Sequence, residues 1–154
     1  MISSLCNAIC TGEKMVNHPS TPKPKSLYAT FRIVGTDLVP SEINALLQLT
    51  ATSKRARGEM VLVSNKPSET GYWLLETEDS PSRKFKDHLN ELIDKLETKI
   101  GILEELQKRG FQMSFSAYAM AESENVELHM DIATLKRLSA FPSTLWFDMY
   151  FNVE

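Results

Sequence analysis

At Gly110 the spacing of apolar residues changes from that of a helix to that of a strand. Before it, Phe85, Leu89, Leu92, Ile93, Leu96, Ile100, Leu103 and Leu106 recur at steps of three and four, which predicts one amphipathic helix over about residues 83–109. Glu91 and Lys95, Glu104 and Lys108, and Glu105 and Arg109 stand four apart on its wet side, where opposite charges support a helix. After Gly110 the step becomes two. Phe111, Met113, Phe115, Ala117 and Ala119 alternate with Gln112, Ser114, Ser116, Tyr118 and Met120, the signature of a half-buried strand. A striped helix running into a one-faced strand buries both apolar surfaces only by packing one upon the other, so the chain must build at least two layers. A helix of that length would be roughly 40 Å long at 1.5 Å per residue. In a chain of 154 residues that favours an overhang or a bend near Gly101.

The flanking segments extend this plan. Leu27, Ala29, Phe31 and Ile33 alternate with Tyr28, Thr30 and Arg32 in a strand over residues 27–34. Pro40 and Glu42 suit a helix's first turn, followed by Ile43, Leu46 and Leu47. Residues 60–63 and 71–78 read as strands separated by the turn residues 65–68. Glu122, Ser123, Glu124 and Asn125 form a hairpin-type turn. Val126, Leu128 and Met130 then alternate with Glu127, His129 and Asp131 as a further strand, and Asp131 caps a helix carrying Ile132, Leu135, Leu138 and Phe141. Leu145, Phe147, Met149 and Phe151 mark the last strand. The order is β-α-β-β-α-β-β-α-β. One apolar and one polar face per strand implies an α+β fold, a two-layer sandwich of a mostly antiparallel sheet with helices on one face, ferredoxin-like at least in its first part.

Residues 1–26 read differently. Pro19, Pro22 and Pro24 stand among Ser, Thr and Lys, so this stretch is an extended arm, leaving 27–154 as the single domain. Met15 opens a natural-looking start, and Met1 lacks the basic run and long apolar core of a secretory signal. Cys6 and Cys10 are the only cysteines. They lack zinc-finger partners and read as idle thiols of a reducing, cytoplasmic compartment. No stretch approaches the ~20 apolar residues of a membrane helix. A formal charge of −3 and a pI near 5.7 argue against the broad basic field of a nucleic-acid binder.

Chemistry-bearing residues are sparse. No phosphate loop, dinucleotide fingerprint or nucleophile elbow occurs, and neither a metal nor a cofactor is implied. His129 shares its predicted strand face with Glu127 and Asp131, and Asp148 faces the same way; a solvated sheet face accounts for the same residues. His88 falls on the polar side of the long helix. The best polar candidate is the basic loop 50–58, where Lys54, Arg55 and Arg57, with Trp73 nearby, could hold an anion through charge-assisted bonds. A second surface follows from the fold. With helices on one side, the other shows Tyr28, Arg32, Tyr118, His129, Trp146 and Tyr150, residue types that anchor protein interfaces.

Tyr28-Ala29-Thr30-Phe31-Arg32-Ile33-Val34-Gly35, Leu38-Val39-Pro40-Ser41-Glu42-Ile43, the basic stretch ending at Gly58, Gly71-Tyr72-Trp73-Leu74-Leu75 and the long Leu-rich helix follow one another in the order of a mainly bacterial family. Over about residues 27–151 the chain resembles that family, domain of unknown function 4279, with Leu49-Thr50-Ala51-Thr52 standing where a Pro-Thr pair is expected. The resemblance implies the fold and no established activity. The sequence therefore points to a non-enzymatic module that binds another protein or itself, of immunity or regulatory type. The competing expectation is a small-molecule or anion binder, conceivably an enzyme, built on residues 52–58 and Trp73.

Overall fold

The computed structural model describes residues 23–122 and 126–151. Cys6, Cys10, His18, most of the expected arm and the core of the turn at 122–125 lie outside the described residues. Strand β1 (Ser26–Gly35) leads into helix α1 (Pro40–Leu47), β2 (Ser53–Arg55), a small hairpin of β3 (Met60–Val61) and β4 (Lys66–Pro67), and β5 (Gly71–Glu76). Helix α2 (Phe85–Leu96), a 3₁₀ turn (Glu97–Lys99) and α3 (Ile100–Lys108) carry the chain to β6 (Gln112–Ala121), then α4 (Ile132–Leu138) and β7 (Thr144–Phe151).

The main sheet has the order β2-β5-β1-β6-β7. Every neighbouring pair is antiparallel except β6 with β7. With the β3–β4 hairpin set aside as an insertion, β1-α1-β2-β5-(α2, α3)-β6 is the split β-α-β arrangement of a ferredoxin-like core. Helix α4 and β7 then add one crossover unit, which is why the last pair is parallel.

The residues that alternate inward build one core against the helices. Leu27, Ala29, Phe31 and Ile33 of β1, Trp73 and Leu75 of β5, and Met113, Phe115, Ala117 and Ala119 of β6 pack with Phe85, Leu89, Leu92, Ile93, Leu96, Leu103 and Leu106. Phe31 and Phe115, opposite one another in the register, meet at 4.8 Å between ring centroids, and Phe141 closes on Phe115 edge-on at 5.2 Å. Trp73 is fully buried, its indole N–H donating to Asn44 Oδ1 at 2.7 Å. The same oxygen accepts the Ala51 N–H at 3.2 Å, tying the exit of α1 to β5. Gly35 and Gly71 face each other at the end of β1 and β5. A Cβ on Gly71 would lie 2.5 Å from the Leu38 carbonyl oxygen, so only glycine allows that approach.

Four expectations change. The single helix over 83–109 is broken by the turn at 97–99, ahead of Gly101, because a straight rod would outrun the ten-residue strands beneath it. The apolar steps run through the turn and so conceal it, whereas the length alone points to an overhang or a bend near Gly101. Residues 53–55 are an edge strand within the expected loop. Only residues 60 and 61 of the expected strand 60–63 are paired, and Leu62 and Val63 stand out in solvent. Finally, residues 126–130 form no strand. Val126, Leu128 and Met130 do turn inward onto the core, but the β6 edge a hairpin would need is taken by β7, from Ser114 opposite Thr144 to Ala121 opposite Phe151.

Polar bonds fasten the remaining pieces. Asp131 caps α4 by accepting the Thr134 N–H at 2.8 Å. Arg137 reaches from α4 to Asp94 at 2.5 Å, Glu97 at 2.8 Å and Asn90 at 3.0 Å. His88 lies inside α2's buried stripe with no exposed surface, correcting its expected place on the polar side. Its Nδ1 meets the Thr77 hydroxyl at 2.8 Å, and Nε2 faces the Ser80 carbonyl at 3.4 Å. Burial first, and Arg83 second, lower its pKa from 6.5.

Two outcomes follow. Asn44→Ala leaves the buried Trp73 N–H without an acceptor and should cost about 1–3 kcal/mol in urea denaturation, without changing the m-value. The His88 pKa is lower in the folded chain, so the unfolded chain binds its proton more readily. His88 therefore contributes its full stabilisation above about pH 6.5, and that contribution declines as acid is added below this value. His88→Gln should flatten the slope of unfolding free energy against pH between about 7 and 5.

Candidate functional site

Alternation places a second set of side chains on the sheet face away from the helices. From β2 to β7 these are Ser53 and Arg55; Tyr72, Leu74 and Glu76; Tyr28, Thr30, Arg32 and Val34; Ser114, Ser116, Tyr118 and Met120; and Thr144, Trp146, Asp148 and Tyr150. Among the described residues no helix covers them, and the set is half-buried or exposed apart from Thr30.

The face divides into two ends. Toward β7, Tyr28 lies opposite Tyr118 in the register and stacks on it at 4.6 Å with 14° between the rings. Tyr118 in turn meets Tyr150 diagonally at 5.4 Å, the reach expected of aromatics two residues off register. Three strands are thus crossed by one ladder of phenols, with Trp146 beside it and more than half exposed. Carboxylates flank the ladder on both sides, Asp148 on β7 and Glu76 on β5. Burial, then Glu76, Tyr118, Asp79 and Asp148, push the Tyr28 phenol up to about 12. A hydrogen bond to Asp148 raises Tyr150, and burial followed by Asp79 raises Glu76. Both hydroxyls accordingly stay protonated at neutral pH, Tyr150 donating to Asp148 and Tyr28 able to donate to a further acceptor.

The β2 end is cationic. Arg32 and Arg55 lie over the Tyr72 ring, at 5.6 and 5.3 Å, and the Tyr72 hydroxyl bonds Ser53 at 2.9 Å. Arg32 Nε is buried and has no hydrogen-bond partner among the described residues. Between the ends, Thr30 and Ser116 share a hydroxyl contact of 2.5 Å across β1 and β6.

Of the expected interface residues, the fold brings Tyr28, Arg32, Tyr118, Trp146 and Tyr150 to this one face. His129 is elsewhere. It pairs with Glu127 at 2.7 Å beside a cavity of about 540 Å³ that Leu27, Arg83, Phe85, Lys86 and Asp131 also line. Much of the charge there is internally matched, with Lys86 on Asp131 at 3.4 Å and Arg83 on Glu91 at 2.8 Å. A smaller hollow of about 270 Å³ lies between Leu46 and Ile102.

The expected anion group is not assembled. Lys54 pairs in register with Trp73 and so shares the helix side of the sheet, whereas Arg55 lies on the open face over Tyr72. Arg57 approaches Asp37 at 3.9 Å, and buried Trp73 offers no surface to a ligand. Sequence reasoning overlooked Tyr72, whose place between two guanidiniums depends on β2 being a strand. It also overlooked the hairpin tip at Leu62 and Val63, which are 94% and 100% exposed. Among the described residues no three His, Cys, Asp or Glu side chains group to hold a metal, and no helix is long and apolar enough to cross a membrane.

Neither a curated protein nor a solved structure matches the chain. One family does: its pattern spans residues 25–152, from the residue before β1 to the residue after β7. That span takes in every strand of the open face, and the chain belongs to the family described as a domain of unknown function, DUF4279.

Proposed function

We propose that the chain is a non-enzymatic protein-binding domain whose docking surface is the open sheet face. The observation that carries this is the ladder Tyr28–Tyr118–Tyr150, held at 4.6 and 5.4 Å on a sheet side that no helix covers among the described residues. Ordered aromatic rings give a partner large contact area at little entropic cost, since stacking has already fixed their rotamers. The polar groups state what the partner carries. The protonated Tyr28 phenol donates, and Arg32 Nε is a desolvated donor that lacks an acceptor among the described residues. The complementary surface is a folded protein that presents backbone or side-chain oxygens over the ladder and a carboxylate over Arg32 and Arg55. An immunity-type or regulatory role follows if the complex blocks the partner's own activity. The anion-binding alternative has weaker support, because buried Trp73 and the opposite-facing Lys54 and Arg55 do not converge, and neither cavity described above is lined by residues 52–58.

The test captures partners from native lysate on the full chain, then titrates each purified candidate calorimetrically. Tyr28→Ala with Tyr118→Ala should weaken binding by roughly 10- to 100-fold, as interface aromatics do. Arg57→Ala, off the face, should leave it unchanged. A stoichiometric partner indifferent to the tyrosine pair would overturn the assignment.

A further inference from the structure

The two edges of the main sheet are built differently. Strand β2 ends one side with three residues, two of them the cations Lys54 and Arg55. A short, charged edge resists pairing with another chain. Strand β7 ends the other side with eight residues, Thr144-Leu145-Trp146-Phe147-Asp148-Met149-Tyr150-Phe151. It has no proline, glycine or lysine, and Asp148 is its one charge. Trp146 and Tyr150 on the open face, and Phe147 and Phe151 on the helix side, are each 44–55% exposed. Among the described residues no strand lies beyond it. A row of backbone donors and acceptors between two half-exposed aromatic faces calls for another strand.

We propose that this strand is β7 of a second copy of the chain, paired antiparallel about a two-fold axis perpendicular to the sheet. The sequence of β7 suits itself. Antiparallel pairing across such an axis must set residues of like facing opposite one another, so the centre falls on a residue. Two centres, Phe147 and Asp148, keep the longest stretch of β7 paired. The Asp148 centre sets two carboxylates face to face, which is destabilising in directly opposed pairs. Centring on Phe147 instead puts Asp148 opposite Trp146, Thr144 opposite Tyr150, Leu145 opposite Met149, and Phe147 opposite itself. Each carboxylate then meets an indole with an N–H to donate, and on the helix side Leu145 meets Met149 while Phe147 meets its own copy. Cyclic two-fold dimers are also the commonest closed assembly. The inference stands apart from the proposed docking face, since it concerns the sheet edge and is read in the isolated protein. Its consequence for that face is that two tyrosine ladders would lie on the same side of one continuous sheet.

Sedimentation equilibrium of the purified full chain over micromolar concentrations tests it, with two substitutions at the half-exposed Trp146 and circular dichroism to verify the fold. The wild-type chain should be a dimer. Trp146→Asp sets a carboxylate against Asp148 of the other copy at two equivalent places and should raise the dimer dissociation constant roughly tenfold. Trp146→Lys replaces each indole contact with an ion pair and should leave the dimer close to wild type. Loss of an exposed aromatic alone would affect both variants alike. A monomeric wild-type chain, equal weakening by the two variants, or a dimer untouched by Trp146→Asp would each overturn the proposal.

Discussion

Strand β1 is bonded along both edges, antiparallel to β5 on one side and β6 on the other, and its inward residues lie under the helices. The rest of the structure depends on this position. An antiparallel centre lets the chain place a helix between successive strands without crossing its own sheet, and it sends both crossovers to one side. Helices α1, α2 and α3 therefore share a single apolar floor. Phe31 and Ile33 are wholly buried from above, whereas Tyr28 and Arg32, on the same strand, are not. A sheet that the described residues layer on one face only must keep the other face soluble, or occupied.

That face is neither uniformly polar nor uniformly apolar. Its tyrosines stack across strands, its arginines sit on a ring, and its hydroxyls bond one another. The acidic and cationic ends are separated along the sheet. Such a field gives a docking partner orientation as well as area. Nothing comparable is assembled elsewhere among the described residues. The cavity beside His129 matches its charges internally, and the basic residues of 52–58 diverge to opposite sides of β2.

How much of this could be read from the residues depended on whether local pattern or pairing decided the outcome. Strands β1 and β6 were legible because alternation over ten residues is unambiguous, and their polar sides named Tyr28, Arg32 and Tyr118 as face residues before any topology was known. Residues 126–130 alternate just as cleanly, yet alternation reports facing and does not report a partner. Once β7 holds the edge of β6, the segment packs inward without pairing. Strand β2 escaped notice for the opposite reason: an edge of Ser, Lys and Arg has no apolar face to reveal. His88 was legible in principle, standing three residues after Phe85 and four before Leu92, within the stripe. Its imidazole was read by its polarity, and the compensating Thr77 hydroxyl comes from a distant loop that no local spacing announces.

The central claim is that the tyrosine ladder faces solvent on a sheet that the described residues cover from one side. The most direct measurement is solvent paramagnetic relaxation by nuclear magnetic resonance, adding an inert gadolinium chelate to the isotope-labelled full chain. The account predicts strong relaxation of ring protons on Tyr28, Tyr118 and Tyr150, with Ile33, Leu89 and Ile93 methyls unaffected. Tyrosine rings as shielded as those methyls would mean that the face is already covered, and would contradict it.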